Sequence, residues 1–66
     1  MKQLDLHGMR HDEAERQVEN FILLNDPPLS IITGNSDMMR GIVETLCAQH
    51  KISYERWDWG EITILK

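Results

Sequence analysis

The chain has 66 residues and a formal net charge of −4. A chain this short makes one domain at most, residues 1–66, with a small core and no room for a large internal cavity. Its acidity argues against holding nucleic acid by bulk charge, its single cysteine, Cys47, allows no internal disulfide, and its apolar runs are too short to span a membrane.

Residues 3–7, Gln-Leu-Asp-Leu-His, alternate polar and apolar, the period of a half-buried strand. Leu4 and Leu6 share one face, Gln3, Asp5 and His7 the other. Gly8 ends the strand. A helix follows from about His11. Asp12, Glu13 and Glu15 crowd its first turns, where the helix dipole favours negative charge, and Ala14, Val18, Phe21 and Ile22 form its apolar stripe. Arg10 is a poor N-cap residue. Met9 is placed to pack on Ala14, and Asn25-Asp26-Pro27-Pro28 stops the helix.

Leu29–Ile32 reads as a second strand and Thr33-Gly34-Asn35-Ser36 as a loop. A second helix is predicted from about Asp37 to Gln49, capped by Ser36 or Asp37, with Met39, Ile42, Val43, Leu46 and Cys47 inward. Gly41 within it costs about 1 kcal/mol relative to alanine unless close packing needs it. Ile52–Trp57 and Glu61–Leu65 read as two more strands around an Asp58-Trp59-Gly60 turn. The order is β-α-β-α-β-β. The first two strands should be parallel, joined by a right-handed crossover.

Parallel pairing brings His7-Gly8 and residues 33–36 to the same edge of the sheet, each just before a helix N-terminus. Ligands of open α/β sheets bind at such edges, and helix N-termini attract anions such as phosphate. Arg10 and Arg40 follow the two loops, so both could make this edge locally positive. Asp5, two residues before His7 on one face, can orient the imidazole, a group suited to acid–base work near neutrality. Taken alone, the same residues also fit an exposed surface histidine and a plain turn. The other candidate features favour structural roles. Cys47, His50, His7 and His11 lack the close paired spacing of a zinc site. Trp57 and Trp59 share a hairpin face, where they can cover the sheet or stack on bases. Glu13, Glu15 and Glu19 read as a solvated helix face. With no disulfide framework and no apolar leader after Met1-Lys2-Gln3, a cytoplasmic setting is expected.

Leu4-Asp5-Leu6-His7-Gly8, then Asp12-Glu13-Ala14, then Ile31-Ile32-Thr33-Gly34, and a final Glu61-Ile62-Thr63-Ile64-Leu65 together resemble the Smr (small MutS-related) domain family over nearly the whole chain. The resemblance implies an α/β (α+β) two-layer sandwich, a mixed four-stranded sheet with both helices on one face. It implies nucleic acid as partner: some members nick DNA or cleave RNA, and others only bind. Carried onto this chain, the first motif is Leu4–Gly8 and the second Thr33–Ser36. Asp5 and His7 are then the catalytic candidates, and Gly8, Arg10, Thr33, Gly34, Asn35, Ser36 and Arg40 the substrate-binding ones. RNA is slightly preferred, because a neighbouring 2′-OH can attack without a metal. DNA cleavage by water calls for Mg or Mn, for which Asp5 is a lone carboxylate. Two readings stand beside an endonuclease: a non-catalytic nucleic-acid-binding module, and a protein-interaction domain that has lost the site. Two features depart from the family pattern. Ser36 replaces the second motif's last glycine, and the final hairpin turn is short.

Overall fold

The computed structural model describes residues 1–65; Lys66, the last residue of the expected 1–66 domain, lies outside the described residues. The elements are β1 (Lys2–Asp5), α1 (His11–Leu24), β2 (Leu29–Ile32), α2 (Asp37–Gln49), β3 (Tyr54–Trp57) and β4 (Glu61–Ile64). The four strands form one sheet in the order β1-β2-β4-β3. β1 runs parallel to β2, and β4 is antiparallel to both β2 and β3. This is the mixed sheet expected, with β4 inserted at the centre.

Register fixes the two faces. Leu4, Ile31 and Ile62 stand in one cross-strand row, and Leu29 pairs with Ile64 in another. These side chains meet Ala14, Val18 and Ile22 of α1 and Met39, Val43, Leu46 and Cys47 of α2 in a single core. Burial pushes the Cys47 thiol up to about 11, so it serves as a small apolar residue. Phe21 and Ile42, placed on the stripes by their spacing, are only partly buried at the core's rim. The next row, Asp5, Ile32, Glu61 and Trp57, lies on the face turned away from the helices. No helix among the described residues is long and apolar enough to cross a membrane.

Four boundaries differ from the sequence expectation, the least of them the start of β1, at Lys2 and not Gln3. β1 ends at Asp5 rather than His7, because the Met9 N–H donates to the Leu6 carbonyl (3.1 Å) and turns the chain at once. The Leu6 N–H still donates to Ile32 (2.9 Å), so Leu6 keeps its inward orientation and is buried. β3 begins at Tyr54 rather than Ile52, because the preceding residues close α2. The Ile52 N–H donates to Cys47 (2.8 Å) and the Lys51 N–H to Ala48 (3.2 Å), the Schellman pattern. Lys51 takes the left-handed position there (φ 55°) and Ile52 packs on the core. β4 ends at Ile64, and the Leu65 N–H adds one more bond to Ser53 (2.9 Å).

At the other helix starts, Ser36 caps α2 by accepting the Met39 N–H (3.2 Å). Arg10 stands at the N-cap of α1 with no side-chain cap bond. Gly41 is exposed in mid-helix, and a Cβ added there would meet nothing within 4 Å. No close approach explains it, so Gly41→Ala should stabilise the fold by about 1 kcal/mol. That corresponds to a rise of about 4–8 °C in Tm. An unchanged or lower Tm would mean the position is obstructed.

Candidate functional site

The C-terminal ends of β1 and β2 open into a cleft of about 240 Å³. Leu6, His7 and Gly8 line it from one side; residues 33–36 and Met39 line it from the other. The His7 side chain is 82% exposed, so it stands in the mouth of the cleft rather than in the core. Gly34 adopts φ +66°, and a Cβ there would lie 3.8 Å from Cε1 of the His7 ring. The two family-type motifs therefore face each other across one small space.

The wall formed by residues 33–34 is held from a third segment. The Gly60 carbonyl accepts the N–H groups of Thr33 (2.8 Å) and Gly34 (3.0 Å), and the Thr33 hydroxyl donates to it as well (3.1 Å). Thr33 is buried and its hydroxyl also lies 3.0 Å from the Gly34 carbonyl, so this side chain locks the loop. Gly60 itself has φ +91°, and a Cβ on it would sit 2.7 Å from the backbone of Gly34. Nothing larger than glycine fits between the two loops.

The polar residues around the cleft have distinct roles. Asp5 does not line it. Its Oδ1 accepts the backbone N–H of His7 at 2.9 Å and lies 3.9 Å from the ring Nδ1, beyond hydrogen-bonding distance. The carboxylate fixes the turn that carries the imidazole. Arg10 does not line the cleft either: it is 85% exposed, with Nε 3.7 Å from Asp12. Arg40 is turned back on its own loop and is only 13% exposed. Its guanidinium donates to Asp37 (3.2 Å) and Asn35 (3.4 Å), and its Nε is buried without a hydrogen-bond partner among the described residues. Of the nine sequence candidates, His7, Gly8, Thr33, Gly34, Asn35 and Ser36 come together; Asp5, Arg10 and Arg40 lie outside. The cleft's donors are thus the imidazole, the Asn35 side chain and the free N–H groups in the first turn of α2.

The Smr domain family model matches residues 4–58. The chain belongs to the Smr domain family. Its fold is similar to the crystal structure of a human small-MutS related domain, with a TM-score of 0.65. The two are 24% identical over 94% of this chain and 96% of that one. No curated protein matches the chain. Smr domains are in general nucleic-acid-binding or endonuclease domains.

In this Smr domain the residue replacing the second motif's last glycine, Ser36, has φ −84° and caps α2. The position demands no left-handed backbone here, and serine suits it as a helix cap. Asp5 gives its Oδ1 to the His7 N–H, and among the described residues no group of three or more His, Cys, Asp or Glu is placed to hold a metal ion.

Three residues outside the motifs shape the neighbourhood: Gly60, Glu61 and Ser30. Glu61 accepts from the Ser30 hydroxyl (2.6 Å) and from the Trp59 indole N–H (2.7 Å). Those two bonds hold its carboxyl below its ordinary value near 4.5. The stability they lend is present above that value and lost as pH falls through the lowered one. In the sequence, Gly60 signalled only a turn, and nothing marked its carbonyl as the anchor of another loop.

Gly60→Ala should cost on the order of 2–3 kcal/mol, from backbone strain plus the clash with Gly34. Gly8→Ala is the control. It also has positive φ (+77°), but nothing lies within 4 Å of its added Cβ, so it should cost only about 1–2 kcal/mol. Denaturant unfolding compares the two. Equal losses would show that the contact between the loops is slack.

Proposed function

We propose that this Smr domain is an endonuclease for RNA, with the phosphodiester seated in the cleft between His7 and the residue 33–36 loop. The observation that carries the reading is the imidazole standing in the mouth of that cleft, opposite the Gly34 backbone. His7 takes the proton from the ribose 2′-OH. That oxygen attacks phosphorus, the P–O5′ bond breaks, the departing 5′ oxygen takes a proton from water, and the hydroxide so formed takes the proton held by His7. The products are a 2′,3′-cyclic phosphate and a 5′-hydroxyl. The phosphate oxygens are bound by N–H groups at the start of α2, where the helix dipole favours negative charge. Asp5 acts through the backbone: its bond to the His7 N–H fixes the turn on which the ring is carried.

A non-catalytic binding module is the second reading. It is favoured by one observation: His7 is the only acid–base side chain that lines the cleft among the described residues. Cleavage by transfer to the 2′-OH works best with a base and an acid together. A single histidine gives at most one of these at a time.

A labelled RNA oligonucleotide, its DNA counterpart and a chelator separate the readings. Wild-type protein should cleave RNA with chelator present. His7→Ala should lower the rate by about 10²–10⁴, the usual contribution of one acid–base group, with folding intact because the residue is exposed. Asp5→Asn should cost less than His7→Ala, since an amide oxygen can still accept the His7 N–H. Wild-type protein that binds RNA but cleaves neither RNA nor DNA, with or without Mg or Mn, establishes the binding module.

A further inference from the structure

We propose that the sheet face turned away from the helices extends the nucleic-acid site, and that an unpaired base of a single strand stacks there on the exposed face of Trp59. This rests on the cleft reading above and specifies the substrate as single-stranded.

Trp59 is 66% exposed, yet it is held on two sides. Its ring stacks on Trp57 with centroids 4.9 Å apart and planes 12° from parallel. Its indole N–H donates to Glu61, and the Trp57 indole N–H donates to Thr63 (2.9 Å). Glu61 in turn accepts from Ser30, and Gln3 approaches Ser30 at 3.5 Å, so a chain of polar contacts crosses the sheet from β1 to the turn. A large aromatic ring fixed in this way loses little rotamer freedom when a ligand arrives. Its polar atom is already satisfied. What it offers to solvent is a π-face, and a nucleobase is a flat partner for it.

Position connects the ring to the cleft. Asp5, Ile32, Glu61 and Trp57 form one row across the open face, with successive strands about 4.8 Å apart. The His7 turn begins at one end of that row and the tryptophan pair closes the other. Half-buried Ile32 lies between them. Trp59 directly precedes Gly60, whose carbonyl holds the cleft wall. A strand with its phosphate beside His7 therefore meets the tryptophans next.

Charge sets the orientation. The strand residues of this face include the carboxylates Asp5, Glu55 and Glu61 and no lysine or arginine. Such a face repels phosphates and accepts bases, so the strand lies with its bases inward. A duplex hides its base faces and presents phosphates, so it is rejected. Aromatic side chains on an open four-stranded sheet bind RNA in the same way in other folds.

The test uses the chain's two tryptophans. Trp57→Phe keeps a stacking ring and leaves Trp59 as the sole indole. Its emission is followed while a single-stranded RNA oligonucleotide, the same strand annealed to its complement, and an abasic version are added. Fluorescence anisotropy of the labelled strands reports binding in parallel. The single strand should bind and quench Trp59; the duplex and the abasic strand should bind more weakly without quenching. In the otherwise wild-type chain, Trp59→Ala should weaken single-strand binding by about 5- to 150-fold, the range of one base–aromatic stack. That factor should not change with salt, because stacking releases no counterions. Trp59→Phe should fall between, which separates loss of stacking from loss of folding. Single-strand binding without quenching, together with undiminished binding by Trp59→Ala, overturns the stacking platform and leaves the cleft reading standing. Absence of binding by any of the strands overturns both.

Discussion

A single carbonyl oxygen, that of Gly60, ties together parts of the chain 27 positions apart in sequence. It accepts the N–H groups of Thr33 and Gly34 and so extends the β2–β4 pairing one position past Ile32 and Glu61. This is possible because β4 lies between β2 and β3, which brings the β3–β4 turn over the end of β2. That contact holds the residue 33–34 wall of the functional edge. It sets the left-handed conformation of Gly34 opposite His7, and it places Trp59 at the rim of the open sheet face. The short hairpin turn, a departure from the family pattern, is thus a structural part of the site in this chain.

The second constraint is the scarcity of free positive charge. Arg10 lies beside Asp12, Arg40 is bound to Asp37 and Asn35, Arg56 pairs with Glu44, and Lys2 donates to Asn25. With a net charge of −4 and three of its four arginines so engaged, the protein has little long-range attraction for a polyanion. In the proposed function, affinity comes from short-range contacts: backbone donors at the start of α2, the His7 ring and flat aromatic surface. Each of these is oriented before a ligand arrives. Ser36 caps α2, Asp5 fixes the His7 turn, and Glu61 holds Trp59.

The fold was legible in the sequence because its signals are local. Alternation put Leu4 and Leu6 inward, helical spacing identified Ala14, Val18 and Ile22, and paired loops after β1 and β2 fell on one edge. The family assignment was legible for the same reason, since its two motifs are short and contiguous. Side-chain commitments were not. Sequence spacing puts Asp5 near the His7 ring, but it cannot reveal that the His7 backbone N–H is a closer partner for the carboxylate. Arg40 follows the loop in sequence, yet Asp37 and Asn35 offer it nearby acceptors and draw it back. Element boundaries failed where a turn or cap competed with a strand, at Leu6–Met9 and at Lys51–Ile52. The role of Gly60 was invisible because a carbonyl group belongs to every residue, and only the topology shows which one another loop will use.

In the proposed function, ligand enters at the edge where the first two strands end. Backbone amide shifts of the isotopically labelled protein, followed while a short single-stranded RNA is added, test it directly. The largest shifts should fall on His7, Gly8, Gly34, Asn35 and Asp37, with Gly60 responding through its bonded loop. Shifts centred instead on the groove between the helices, around Met38 and Ile42, with His7 and Gly34 unmoved, would contradict it.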